Sequence, residues 1–159
     1  MKHIDYAYTH GVDDSTIDHQ LKTAETGVLA LADGDDAYAV PLAHYYDGEH
    51  LYFRLGSTPE SKKHAFWEAT NTACYVVYGT EPTKDPKMIE SWSITCIGSL
   101  QEVPASEHGQ FDTATINRQF APIRVFTEPI EDIEITILKL EIDKVTGRAT
   151  MEAPVDRLS

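Results

Sequence analysis

Cysteine and long apolar runs are both scarce in this sequence, and their scarcity excludes several classes of protein. Only two of the 159 residues are cysteine, and Cys74 and Cys96 have neither C-x-x-C nor zinc-finger spacing. Both lie in apolar, strand-like runs, so we expect buried free thiols in a reducing compartment, with a disulfide between neighbouring strands as the alternative. No apolar run approaches the roughly 18 residues of a membrane span, and the N-terminus lacks the apolar stretch of a signal peptide. We therefore expect a soluble, cytoplasmic protein.

Positive charge is scarce as well. The 13 Lys and Arg residues are outnumbered by 26 Asp and Glu, which gives a net charge of −13. Such a charge repels nucleic acid and anionic lipid, so neither is expected as a partner. A halophilic protein is one explanation, because at an ionic strength of about 1 M the Debye length falls to about 3 Å and repulsion between carboxylates is screened. The alternative is an acidic protein from an ordinary environment.

Familiar catalytic and nucleotide-binding motifs are also missing. The sequence contains neither G-x-G-x-x-G nor G-x-x-x-x-G-K-[ST], which argues against Rossmann and P-loop sites. It also lacks G-x-S-x-G and H-E-x-x-H, which argues against serine hydrolases and zinc proteases. The seven histidines do not follow metal-ligand spacing, so no metal site is predicted.

The patterning that is present predicts one mainly β domain over residues 1–159. Apolar residues make up 42% of the chain, enough for a core without disulfides. About six strands linked by short turns, with two or three peripheral helices, indicate an antiparallel α+β fold. The predicted strands cover residues 28–32, 37–44, 51–55, 73–79, 92–103 and 133–142. The predicted helices cover residues 17–26 with Ser15 as the cap, 59–70 after a Thr58 cap, and 106–120.

Residues 37–63 form the stretch around which we expect the site to be built. An Asp47-Gly48 turn predicts a tight hairpin between the strands at 37–44 and 51–55. Pro41 cannot donate to a strand ladder, which predicts an edge strand or a bulge.

Two later strands carry signs of irregularity. Gly98 interrupts the alternation of its strand and predicts a bend or bulge. The apolar set shifts from odd to even positions between Ile137 and Leu138, which predicts either a second bulge or burial on both faces of the strand. The tail from Gly147 is predicted to be irregular.

The segment 54–63 combines cations and hydroxyls at a predicted helix start. Three of the chain's 13 cations, Arg54, Lys62 and Lys63, fall within ten residues. The hydroxyl residues there are Ser57, Thr58 and Ser61. Because the N–H groups and positive dipole end of a helix attract phosphate, this pattern predicts an anion site. The alternative is an ordinary capped helix with solvated lysines.

The order and spacing of these segments resemble the pyridoxamine 5'-phosphate oxidase-like superfamily of FMN-binding split barrels, in the branch near the nitroimidazole-resistance flavoproteins. The pieces that carry the resemblance, between residues 27 and 147, are GVLALAD, YAVPLAHYYDGEHLYFR, SKKHAFWEATNTACYVV, SWSITCIGSLQEV and ILKLEIDKVTGR. The resemblance implies an antiparallel split β-barrel and an FMN cofactor at the interface of a homodimer.

The resemblance also implies roles for individual residues. The strand 38–43 would line the isoalloxazine and ribityl chain, largely through backbone groups. Lys63 would bind the phosphate, with Lys62 able to exchange roles with it, and Ser93 would face the flavin ring. The residues expected to bind the cofactor are Tyr38, Val40, Pro41, Leu42, Ala43, Phe53, Arg54, Ser57, Lys62, Lys63 and Ser93.

The sequence departs from the family pattern at two places, and the first of them argues against one activity. The C-terminal arginine and histidine that hold pyridoxal phosphate in the true oxidases have no counterpart here, so pyridoxamine 5'-phosphate oxidase activity is not expected. Arg54 also stands where the nitroimidazole-resistance branch often has a histidine.

The resulting hypothesis is an FMN-dependent oxidoreductase or flavin reductase with a small-molecule electron donor or acceptor. No catalytic acid or base is assigned, although His44 and Tyr45 are candidates near the ring. One alternative is a flavin carrier or sensor without turnover. Another is exchange of FMN for deazaflavin or for haem, in which case His44 or His64 would have to be the axial ligand.

The acidic composition generates a prediction about salt. If the carboxylates repel one another in dilute buffer, molar KCl should raise the melting temperature steeply by screening them. Thermal unfolding in a KCl series measures this effect directly. A melting temperature independent of salt would exclude the halophilic interpretation.

Overall fold

The computed structural model describes residues 10–57, 61–82, 84, 89–121 and 134–150. Within these ranges the chain forms one antiparallel sheet with three short α-helices and a 3-10 helix. The strands are β1 (His10–Gly11), β2 (Thr26–Asp33), β3 (Asp36–Ala43), β4 (Tyr45–Tyr46), β5 (Leu51–Ser57), β6 (Ala73–Pro82), β7 (Ile89–Glu102) and β8 (Glu134–Ala149). Six of them are long, as the sequence predicted, and β1 and β4 have two residues each.

The order of the strands requires the sheet to curl. Neighbouring strands follow the order β3-β2-β6-β7-β8-β5-β4, with β1 added beside β8. The edge strands β3 and β4 therefore lie at opposite ends of the sheet, although only His44 separates them along the chain. The two edges must approach each other at His44, yet within the described chain they are not paired. A curled antiparallel sheet with such a seam is a split barrel, which confirms the predicted fold class.

The predicted hairpin between residues 37–44 and 51–55 is wrong. β3 pairs with β2, for example Leu29 with Val40, whereas β5 pairs with β8 along its whole length. The turn itself is present, with Gly48 at a φ of 103°, but it joins β5 to the two-residue strand β4. The expectation for Pro41 is confirmed, because β3 is the edge strand of the sheet.

Alternation along the strands places the main core inside the curl. One face of β5 is fully buried, through Leu51, Phe53 and Leu55. A smaller cluster of Val103, Phe111, Phe120 and Ile137 lies apart from the main core. Ile137 belongs to this cluster and Leu138 to the main core. Burial on both faces therefore explains the shifted apolar pattern of β8.

The irregularities of β7 and β8 lie at one place. Register between these strands shifts at Ile97/Gly98, which confirms the bulge predicted at Gly98. Around Ile137 the pairing with β5 is continuous, so no second bulge occurs there. β8 also continues to Ala149, through the tail predicted to be irregular, because both β1 and β7 pair with its end.

The first helix begins earlier than the sequence predicted, and the second begins later. In α1 (Asp14–Thr23) the cap is Asp13, whose carboxylate accepts the Thr16 N–H at 2.8 Å, and not Ser15. The next helix, α2 (Lys62–Ala69), has Ser61 at its N-cap position, without a side-chain hydrogen bond to the helix. The predicted cap Thr58 is therefore wrong, and Thr58 lies outside the described residues. The side chain that α2 buries is Trp67.

The helix predicted over residues 106–120 is divided. A 3-10 helix covers Ala105–Phe111, and α3 covers Ala114–Gln119. Thr113 caps α3, since its hydroxyl accepts the Ile116 N–H at 3.2 Å. This cap starts a new helix where the sequence pattern favoured a continuous one.

The two cysteines are free thiols. Cys74 lies opposite Ile97, and Cys96 lies opposite Tyr75. This register puts the thiols on opposite faces of the sheet, so they cannot form a disulfide. Burial raises the pKa of Cys96 to about 12. No helix in the described ranges is both long and apolar enough to span a membrane.

The bulge at Gly98 generates a prediction about stability. A Cβ added to Gly98 would overlap the carbonyl oxygen of Glu141 and lie 3.1 Å from the Ile142 Cα. Because these obstacles are backbone atoms, Gly98→Ala should lower the free energy of unfolding by about 2–3 kcal/mol. Gly109→Ala is the control, since nothing lies within 4 Å of that position. Equal stability of the two variants in urea unfolding would contradict this packing of the bulge against β8.

Candidate functional site

A buried histidine joins the two edges of the sheet. His44 is 1% exposed. Its Nε2 lies 2.9 Å from the carbonyl oxygen of Leu21, and its Nδ1 lies 2.7 Å from the hydroxyl of Tyr75. Since a carbonyl can only accept, Nε2 carries the proton, and Nδ1 of the neutral ring accepts from Tyr75. The Tyr75 hydroxyl is also 3.1 Å from the carbonyl oxygen of Leu42.

This network makes His44 a structural residue. Burial lowers its pKa, and both ring nitrogens already have hydrogen-bond partners. The geometry therefore argues against His44 as an acid–base group at a ligand or as a haem ligand. Tyr45, the other candidate, packs against the Tyr52 and Phe120 rings. His64 is bonded through Nε2 to Glu68 at 3.0 Å.

The outward face of β3 is lined by small side chains. Tyr38, Val40 and Leu42 point toward the core, and Tyr38 stacks on Phe66 at 5.2 Å. The alternate residues Ala39 and Pro41 are exposed. A ligand along the outside of β3 would therefore meet backbone atoms and small side chains, as the expected flavin strand requires. Of the expected residues, Tyr38, Val40 and Leu42 can reach such a ligand only through their backbone.

Ser93 lies far from β3 within one chain. It stands on β7, opposite Tyr78 of β6 and Arg148 of β8. Three strand spacings separate β3 from β7 in the sheet order, which corresponds to about 14 Å. The structure therefore does not bring Ser93 together with the β3 residues of the same chain.

Arg54 is held against α3 on the outside of β5. Its neighbours Phe53 and Leu55 are buried in the core, so alternation turns Arg54 outward. The guanidinium Nη1 donates to the Asn117 Oδ1 at 2.7 Å and lies over the Phe120 ring, 5.0 Å from its centroid. Sequence reasoning missed Asn117 and Phe120, because 63 residues separate Arg54 from Asn117 and no local pattern predicts such a contact.

Two lysines begin α2, the helix that follows β5. Lys63 Nζ donates to the carbonyl oxygen of Gly56 at 3.3 Å, and Lys62 is exposed at the first position of α2. Two residues along a strand span about 7 Å, so Gly56 is close to Arg54. Ser61 makes no side-chain cap, and the first turn of α2 contains no acidic residue. The structure thus places the Lys63 ammonium at the end of β5, with Lys62 beside it at the start of α2, whereas the Arg54 guanidinium, two residues earlier along β5, contacts α3.

These residues have the chemistry that a phosphate group requires. Guanidinium and ammonium groups form charge-assisted hydrogen bonds to phosphate oxygens, and the N–H groups at a helix start add to them. Among the described residues, no group of three or more His, Cys, Asp or Glu side chains is arranged to hold a metal ion.

A cavity of about 450 Å³ lies between the start of β2 and α3, lined by Glu25, Arg118, Gln119 and Ala121. Thr26 follows Glu25 and pairs with Ala43, so the cavity is close to the end of β3. No sequence pattern indicates this cavity, because its two walls are distant along the chain.

Comparison with known proteins identifies the family. The family model described as pyridoxamine 5'-phosphate oxidase matches residues 13–149. The chain belongs to this family. No curated protein matches the chain significantly.

Solved structures share this family's fold. A candidate 5-nitroimidazole antibiotic resistance protein from Bacteroides thetaiotaomicron superposes with a TM-score of 0.68 at 19% identity, covering 89% of this chain and 87% of that one. An FAD-binding protein from Mesorhizobium loti gives 0.64 at 20%, covering 89% and 97%. An FAD and heme binding protein from Mycobacterium smegmatis gives 0.63 at 16%, covering 88% and 72%. At these identities the likeness shows the fold alone.

The buried state of His44 generates a prediction about pH. Because its pKa is lowered in the folded state, the unfolded chain takes up a proton below about pH 6.5 while the folded chain does not. Wild-type stability should therefore fall more steeply on acidification than that of His44→Gln, by up to about 1.4 kcal/mol per pH unit. Urea unfolding between pH 7.5 and 5 measures the difference.

His19→Gln controls for the loss of an exposed imidazole from α1. If wild type and His44→Gln lose stability in parallel on acidification, His44 is not held neutral by the fold.

Proposed function

We propose that this protein is an FMN-binding flavoprotein acting as an oxidoreductase or flavin reductase on a small-molecule electron donor or acceptor. The observation that carries the proposal is the Lys63 ammonium at the end of β5, two residues along the strand from Arg54, in a chain of net charge −13. Membership of the pyridoxamine 5'-phosphate oxidase family supports it. The neighbours described as FAD-binding show that the fold accommodates flavins.

The phosphate of FMN would be held by the three cations. Lys63 is the main ligand in this proposal, because its ammonium already lies at the end of β5, 3.3 Å from the Gly56 carbonyl. Lys62 is the alternative, since it is exposed one position earlier in the same turn. Ser57 and the first N–H groups of α2 would complete the phosphate site.

The isoalloxazine would lie along the outward face of β3. Ala39 and Pro41 are small and exposed there, so a planar ring can approach the backbone closely. As an edge strand, β3 also leaves one side of its backbone available to a ligand within the described sheet. Ala43, at the end of β3, is 7% exposed and would mark the limit of the ring site.

The flavin would supply hydride or electron transfer, and the chain would supply position and electrostatics. His44 holds no proton available to a substrate, because its ring is buried and bonded at both nitrogens. Pyridoxamine 5'-phosphate oxidase activity is not proposed, since residues 144–159 contain no arginine–histidine pair of the kind expected for it.

We also propose that the protein is a homodimer. The outward face of β2 and β6 continues the small, apolar surface of β3 through Val28, Ala30, Cys74 and Val76, which are half-buried. Because Ser93 lies about 14 Å from β3 of its own chain, it would face the flavin only across an interface, on the ring bound by the partner.

A flavin carrier or sensor is the second candidate function. The burial of His44 favours it, since one of the two acid–base candidates, His44 and Tyr45, cannot reach a substrate. Reduction of bound FMN by NADH or NADPH, compared with that of FMN in solution, separates the two functions. Rates above those of the unbound cofactor support the oxidoreductase.

The phosphate site generates a prediction about affinity. Lys63→Ala should weaken FMN binding by about 1.5–3 kcal/mol, because one charge-assisted phosphate contact is lost. Riboflavin, which lacks the phosphate, should bind this variant and wild type equally. Fluorescence titration with FMN, FAD and riboflavin measures all three affinities.

Lys22→Ala removes the same charge from an exposed pair with Asp18 on α1 and is the matched control. If Lys63→Ala binds FMN as tightly as wild type does, the main phosphate contact is made by Lys62 instead. A wild-type protein that binds none of the three flavins would disprove the proposed function.

A further inference from the structure

We propose that Asn117 of α3 is a positioning residue, which orients the Arg54 guanidinium toward the phosphate of the bound flavin. This inference rests on the proposed function, because it assigns Arg54 to the phosphate site. It extends that site to α3, an element to which neither the sequence nor the family resemblance gives a role.

Two contacts fix the plane of the guanidinium from different directions. The Asn117 Oδ1 accepts from Nη1 at 2.7 Å, a short distance that is typical of a charge-assisted bond. The Phe120 ring lies 5.0 Å from Cζ, within the range of a cation–π contact. Because an arginine side chain otherwise samples many rotamers, holding it in place lowers the entropic cost of binding an anion.

The orientation of the Asn117 amide is itself determined. Its Nδ2 donates to the Asp112 Oδ1 at 2.9 Å, so Oδ1 must face Arg54. The amide accepts from the guanidinium without neutralising it, whereas a carboxylate at this position would form an ion pair and repel phosphate. The Asn117 amide lies between the Asp112 carboxylate and the Arg54 guanidinium, since it bonds to both. Asn117 therefore contributes a neutral hydrogen-bond acceptor to Arg54.

The helix that carries Asn117 is anchored to the barrel. Phe120 is 5% exposed and packs in the smaller cluster with Phe111 and Ile137. Its ring also contacts that of Tyr45, next to the seam at His44. Ile137 pairs directly with Arg54 across β5 and β8. Because the anchor and the arginine share this packing, α3 can hold Arg54 in a fixed position on the outside of β5.

The experiment compares FMN and riboflavin affinities, since their ratio isolates the contribution of the phosphate. Asn117→Ala should weaken FMN about three- to tenfold and change riboflavin less than twofold. Asn117→Asp should lower the FMN/riboflavin ratio further, because a carboxylate beside Arg54 repels the phosphate. Thr115→Ala, at an exposed position of α3, is the matched control. Fluorescence titration of the full-length protein in one buffer measures each affinity.

A double-mutant cycle gives the decisive comparison. Arg54→Ala alone should lower the FMN/riboflavin ratio, and adding Asn117→Ala to it should have no further effect, because the positioned group is already absent. An unchanged ratio in both Asn117 variants, or parallel losses for FMN and riboflavin, would show that Asn117 only stabilises α3. If the wild-type protein still binds FMN more tightly than riboflavin, that result overturns the role of Asn117 but not the proposed function. If wild type binds the two equally, both proposals are overturned.

Discussion

One residue connects the two edges of the sheet, and the rest of the fold depends on this constraint. β3 and β4 are the first and last strands of the order, yet only His44 lies between them. The sheet must therefore curl until its edges meet, and a polar residue at that point must be buried. Burial is possible because Leu21 and Tyr75 occupy both ring nitrogens, which offsets the cost of removing an imidazole from water. The open seam leaves β3 as an edge strand.

The candidate site depends on two features that the curl of the sheet produces. An edge strand with small outward side chains offers a flat surface along β3. After His44 the chain continues through β4 to β5, which carries Arg54 at its middle and ends next to the Lys63 ammonium. In a strongly acidic chain these cations must attract an anion against the repulsion of the net negative charge. Binding of an anionic ligand would be most favoured where salt screens the surrounding carboxylates. α3 adds rigidity to Arg54 through Asn117 and Phe120.

Local sequence patterns predicted the features that depend on local chemistry. The six long strands followed from apolar alternation, the edge position of β3 from Pro41, and the bulge of β7 from Gly98. The choice of strand partners could not be predicted, because the Asp47-Gly48 turn specifies a hairpin but not how long its first strand is. The contact between Arg54 and Asn117 was equally inaccessible, since it depends on how α3 packs on the barrel. Cap selection failed where Ser15 and Asp13, both suitable, competed within one turn.

The absorption spectrum of the purified protein, followed by the mass of the cofactor released by acid, tests the central claim most directly. We expect a yellow protein with a flavin band and a released cofactor of the mass of FMN. A Soret band, or a released cofactor of deazaflavin mass, would assign a different cofactor to the same barrel. A colourless protein that acquires no flavin spectrum when FMN is added would contradict the claim that this barrel binds a flavin.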